Sequence, residues 1–189
     1  YVGLTSGEGQ FNEATLPALR RQHRRRQTAL ANLDTIAPSA LSNEQNLDRL
    51  AFRARLLREC EDFERGRHTL DPHGLDEVFD FLLREMQRGE TEPTRAAKNI
   101  RSLLSGTPRY LTKAAKLIDR PERVWRSIMD GTFNAADSFF DAVASFLKTN
   151  GNKKEDETLL RLAKRACTKY HGSVMAKRLA KPGSFAIGA

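Results

Sequence analysis

The sequence predicts an all-α protein, an array of about seven antiparallel amphipathic helices. Three observations lead there. Leu, Ala, Arg, Glu and Lys dominate the composition, and these residues lose least on entering a helix. Apolar residues recur at three- and four-residue spacing over long stretches, which puts them on one helical face. No stretch alternates apolar and polar residues as a half-buried strand does, apart from the short run Ser184-Phe185-Ala186-Ile187.

Residues 1–14 read as a flexible tail, with Gly3, Gly7 and Gly9 and no period. A helical domain over 15–182 follows. Thr15 caps a first helix that Pro17 opens and that runs to about Asp34; Leu16, Leu19, His23, Gln27 and Leu30 share its inner face. Ile36 to Leu41 is a link, and Ser42-Asn43-Glu44-Gln45 is a capping box for a second helix that fades near Gly66. After the turn Asp71-Pro72-His73-Gly74, a third helix covers Leu75 to Arg88, ended by Gly89. A fourth starts at Pro93 and breaks at Ser105-Gly106-Thr107-Pro108, where Thr107 caps a fifth to about Asp119. Pro121 opens a sixth with Val124, Trp125, Ile128 and Met129; Gly131-Thr132 separates it from a run over Phe133 to Leu147. Beyond the loop at Thr149–Asn152, a last helix covers about Lys154 to Leu179. Residues 183–189 form an apolar tail. No fixed repeat is visible, which argues against a solenoid.

At 39% hydrophobic and 30% charged residues, the chain fits helices with one apolar stripe and a large solvated face. Its net charge of +8 suits an acidic partner such as nucleic acid or anionic lipid. Acids and bases are interspersed, so the charge equally fits a protein kept dispersed by Arg-rich helices. Cys60 and Cys167 lie far apart, each in a helical pattern, and read as buried thiols rather than metal ligands. No run approaches the roughly 18 apolar residues of a membrane span. Without a signal peptide, the sequence favours a soluble, cytoplasmic protein. The chain begins at Tyr1 rather than Met, and its apolar end reads as a cut edge.

Nothing in the chain spells a complete catalytic site. His23, His68, His73 and His171 show no metal-binding spacing, and no cofactor is expected within this chain. Cys167 and His171 stand four apart and could touch, although a mid-helix Cys among small residues usually packs. Phosphate-cradling loops and nucleophile elbows are absent. The sharpest local feature is Arg20, Arg21, Arg24, Arg25 and Arg26, candidate anion-binding residues on the first helix. No aromatic residue interleaves with them, so base stacking is unsupported. A second basic region over Lys164 to Lys181 includes Arg165, Lys169, Lys177 and Arg178.

The order of several short motifs resembles the bacterial domain-of-unknown-function family 885, whose members resemble thermolysin-clan zinc metallopeptidases. The stretch Leu30 to Ser42 is similar to that family's first interhelix link. Asn46-Leu47-Asp48-Arg49-Leu50 and Leu56-Leu57 continue in its second helix, and Asp71-Pro72 begins its third. Asp119-Arg120-Pro121-Glu122-Arg123-Val124 looks like its Asn-Pro-Pro motif, and Gly183 to Ala189 like the edge of its catalytic part. The resemblance covers about Thr15 to Ala189. It departs at the decisive point: the family's HExxH helix and later Glu have no counterpart in this chain. The resemblance therefore implies a non-catalytic N-terminal helical segment that forms one wall of a substrate cavity. Zinc is implied only for a longer parent protein. The segment's partner would be a C-terminal catalytic part, with peptide as a possible substrate. Two other readings stand beside it. One is a basic module binding nucleic acid or another polyanion through the Arg-rich first helix. The other is a helical interaction or scaffold protein whose partner covers Phe185 and Ile187.

Overall fold

The computed structural model describes residues 9–151 and 153–181, and the expected apolar tail at 183–189 lies outside them. Seven α-helices make up the described residues: α1 Leu16–Asp34, α2 Asn43–Glu64, α3 Gly74–Arg88, α4 Pro93–Leu117, α5 Arg123–Asn134, α6 Ala136–Thr149 and α7 Asp156–Met175. The protein is all-α, with no strand among the described residues. No helix in them is long and apolar enough to cross a membrane. Where the sequence reads one helical domain over 15–182, these residues group into two compact units: residues 14–68, and residues 9–13 with 69–181.

The smaller unit is the α1–α2 hairpin. Thr15 caps α1, its side chain accepting from the Ala18 N–H, and Ser42 and Gln45 form the capping box that starts α2. The two helices run antiparallel, because partners descend α1 as they ascend α2. Asp34 meets Arg53 at 2.7 Å, and Arg26 meets Glu59 at 2.7 Å. At the far end His23 Nε2 lies 3.3 Å from Glu64. The apolar residues of α2 are spread around its circumference; Leu56 and Cys60 are buried, whereas Leu47, Leu50 and Phe52 are exposed. Gly66 ends α2 at φ 71°, a left-handed conformation that a side chain would disfavour.

The larger unit holds the apolar core. Leu75, Val78 and Leu82 of α3 are fully buried, as are Ile100, Leu103 and Leu104 of α4 and Phe140 and Val143 of α6. Burying an aliphatic side chain of this size contributes roughly 1.5–3 kcal/mol. α3 and α4 run antiparallel, since Glu77 meets Tyr110 and Glu85 meets Asn99. α4 and α7 run parallel, contrary to the expected all-antiparallel array. Arg101 near the start of α4 binds Asp156 at the start of α7, and Lys177 past the end of α7 donates to the Ile118 carbonyl past the end of α4.

Several expectations need correction. The predicted break at Ser105–Pro108 does not occur; α4 runs straight through. Pro108 does remove one helical N–H. The helix continues because Leu103, Leu104, Thr107 and Leu111 are buried on either side of it, and packing outweighs the local loss. Thr107 caps nothing and instead donates its hydroxyl to the Leu103 carbonyl at 2.9 Å. Gly131-Thr132 does not interrupt α5; the chain breaks at Ala135, so Phe133 belongs to α5. α7 ends at Met175 rather than Leu179, after which Ala180 N–H bonds to the Pro121 carbonyl. Of the apolar residues on α5, Met129 is buried and Val124 and Ile128 are exposed. Part of the expected flexible tail is anchored as well: Phe11 stacks on Tyr110 at 4.6 Å and meets Phe81 edge-on at 5.5 Å.

Candidate anion-binding groove

The C-terminal halves of α4 and α7 enclose a groove of about 580 Å³. Side chains four apart on a helix stand in a row, and each helix presents two such rows to the groove. The floor rows are Leu111 and Ala115 on α4, and Leu162, Ala166 and Tyr170 on α7. The rim rows are Pro108, Thr112 and Lys116 on α4, and Arg165, Lys169 and Ser173 on α7, with Lys177 just past its end. Leu162 lies in the floor and is still 42% exposed. Apolar surface therefore remains uncovered between two cationic edges.

Two buried anchors set the spacing of these helices. At one end the Arg101 guanidinium grips the Asp156 carboxylate at 2.7 and 2.9 Å, and the Lys153 N–H also donates to it. The Arg101 bond, helped by the Lys153 bond, holds the Asp156 carboxyl below its ordinary value. Alongside the floor, the Tyr170 hydroxyl accepts from the Gly74 N–H at the start of α3 at 3.3 Å. Burial pushes the Tyr170 hydroxyl well above its ordinary value, so it stays protonated. At the other end Lys177 satisfies the Ile118 carbonyl at 2.6 Å. Among the described residues Lys116, Arg165 and Lys169 have no carboxylate within ion-pair distance.

Arg165, Lys169 and Lys177 belong to the second basic region that the sequence singles out. Lys116 and the α4 half of the floor lie on the helix expected from Thr107 to Asp119; what went unread is the pairing of that helix with α7, which brings the two sets of rows together. The readable signal is the pair of four-spaced rows, Pro108–Thr112–Lys116 and Arg165–Lys169–Ser173–Lys177.

The α1 candidates separate into two groups. Arg20, Arg24 and Arg25 are exposed and carry no ion pair among the described residues. Arg21 is exposed as well, and Arg21, Arg24, Arg25 and Thr28 border an open depression of about 340 Å³. Arg26 is half-buried and occupied by Glu59 within the hairpin.

The histidines and cysteines are not brought together as a site. No group of three or more His, Cys, Asp or Glu side chains among the described residues could hold a metal ion. Both thiols are free and buried. Burial pushes Cys167 up to about 12, which keeps it protonated and unreactive. His171 turns to Asp130 at 2.7 Å and stacks on Phe133 at 4.0 Å, rather than serving Cys167. His23 and His68 both stack on Phe63, at 4.6 and 4.9 Å, and the Nδ1 atom of each is buried without a hydrogen-bond partner.

Comparison with protein-family models, with curated proteins and with solved structures finds no match to this chain.

Proposed function

We propose that this chain is a non-catalytic peptide-binding segment, and that the α4–α7 groove is its binding surface. The observation that carries the reading is the apolar floor between cationic rims, with Leu162 half-exposed and three cations without a carboxylate partner among the described residues. Such a surface suits a ligand that is apolar on one side and anionic at its edges. The resemblance of its motif order to family 885 is what suggests placing the segment as one wall of a substrate cavity in a longer zinc metallopeptidase-like hydrolase. That part of the reading rests on the order of short motifs alone.

The test is peptide binding to the purified chain followed by titration calorimetry, with Arg165→Glu/Lys169→Glu as the comparison. The wild-type chain should bind acidic peptides, and the double reversal should weaken binding about tenfold or more. Equal affinity for both proteins would remove the groove from the reading. In the longer parent protein, the same reversal should raise KM for acidic peptides and leave kcat unchanged, since the rim holds substrate without touching reacting atoms.

A second reading is supported by Arg20, Arg24 and Arg25, which are exposed and carry no ion pair among the described residues. They would form a cationic, polyanion-binding surface on α1, with nucleic acid as one candidate partner. Its mark is affinity for heparin or duplex DNA that falls steeply with salt. Arg24→Glu/Arg25→Glu should abolish that affinity and leave peptide binding in the groove intact.

A further inference from the structure

Resting on the reading of the α4–α7 groove as a peptide site, we infer that its occupant is an acidic amphipathic α-helix contributed by another polypeptide. Three features of the groove select that class. The first is its length. Leu162 to Ser173 on α7 spans about 17 Å of helix axis, roughly three turns. A third helix laid along the seam of the parallel pair covers the whole of it.

The second feature is where hydrogen-bonding groups are missing. The floor is made of Leu111, Ala115, Leu162, Ala166 and the ring of Tyr170, whose hydroxyl is engaged by Gly74. An extended peptide seated there would leave its own N–H and C=O groups without partners. A helix meets that demand internally and presents only side chains to the floor. The half-buried Ala115 and Ala166 let the incoming helix approach closely, with larger apolar residues seated between them.

The third feature is the pairing of charge with the floor. Cations border the apolar strip on both sides, Lys116 on one rim and Arg165 and Lys169 on the other. A helix with an apolar stripe flanked by Glu or Asp on both edges matches this arrangement, as the charged flanks of a coiled coil match across its seam. A single-carboxylate amphiphile, such as a fatty acid, satisfies one rim and leaves the opposite one uncompensated.

The test uses the full 189-residue chain and two labelled acidic peptides of roughly 18 residues, long enough to hold a helix. One repeats Leu at three- and four-residue spacing with Glu on both flanks. The other has the same composition in scrambled order around a central proline. Fluorescence anisotropy should show the helical peptide binding about tenfold more tightly than the scrambled one. Lys116→Glu and Arg165→Glu should each weaken it, and both together should weaken it more than either alone. Leu162→Glu, a change at a half-exposed position, tests the floor without burdening the core, and it should weaken binding too. Equal binding of both peptides would overturn the helical occupant while leaving the peptide site standing. Displacement of the helical peptide by palmitate at equal concentration would overturn it in favour of a lipid. Binding of neither peptide would sink the peptide site itself.

Discussion

The α1–α2 hairpin and the larger α3–α7 unit solve the same problem with different means. The larger unit excludes water: eight helical positions from Leu75 to Val143 named above have no exposed surface, and its register follows from interlocking apolar side chains. The hairpin buries little beyond Ala18, Leu56 and Cys60, and is aligned by cross-helix ion pairs at Asp34–Arg53 and Arg26–Glu59. The Arg26–Glu59 side chains are roughly a third exposed, and a pair of that exposure is worth at most about 1 kcal/mol; the Asp34–Arg53 pair is more open to solvent and more fully screened. The difference teaches that charge can specify which residues of two helices face each other without adding much to their stability. Apolar burial adds the stability and pins the alignment at once.

The comparison breaks most visibly if the core is emptied. Leu82→Ala in α3 should destabilise the larger unit by about 2–5 kcal/mol, whereas Leu50→Ala on α2 should change stability by less than about 0.5 kcal/mol. Urea unfolding of both variants checks the contrast, and equal shifts would erase it. Next comes the buried Arg101–Asp156 pair of the larger unit. Asp156→Ala strands the Arg101 guanidinium, whose side chain is only 10% exposed, and should cost about 3 kcal/mol. Because the Asp156 carboxyl is held below 3.8 when folded, its stabilisation is present above that value and lost as pH falls through the lowered one. The acid-unfolding midpoint of the larger unit should therefore move up in the variant.

The hairpin should show its own pH dependence at milder acidity. Burial lowers His68 below its ordinary 6.5, so the folded state keeps it neutral while the unfolded chain takes up a proton. The stability this supplies is complete above pH 6.5 and declines as pH falls below it. His68→Phe should flatten the decline, and an unchanged slope by circular dichroism would move its origin elsewhere. The smallest effect belongs to the surface pairs. A double-mutant cycle on Arg26 and Glu59 should give at most about 1 kcal/mol, shrinking further in 1 M salt.

Much of the fold is legible in the sequence because caps are local. Thr15 and the Ser42–Gln45 box mark helix starts through bonds to their own next turn, Pro93 marks one through its fixed φ, and each start falls within a residue of its expected place. Gly89 is a glycine for a reason no local pattern shows. Its φ is an ordinary helical −60°, and a Cβ there would collide with the Phe146 ring. Pro108 misleads for the opposite reason: its local signal is strong, and the buried Leu103, Leu104 and Leu111 overrule it. The groove was missed for another reason. Its α4 wall lies wholly on the helix expected from Thr107 to Asp119 and its α7 cations could be read from composition, but no local pattern pairs the two helices. The parallel course of α4 and α7 was hidden too, since it depends on Arg101 finding a residue 55 positions away.

The two cysteines acquire a use from where they sit. Cys60 is in the hairpin and Cys167 in the larger unit, both buried and neither in a disulfide. Burial raises both thiols, so an alkylating reagent meets a protonated, shielded sulfur until the surrounding helices open. Each unit thus carries one internal clock. The mass label accumulating at Cys60 counts openings of the hairpin, the label at Cys167 counts openings of the core, and one native chain keeps both times at once.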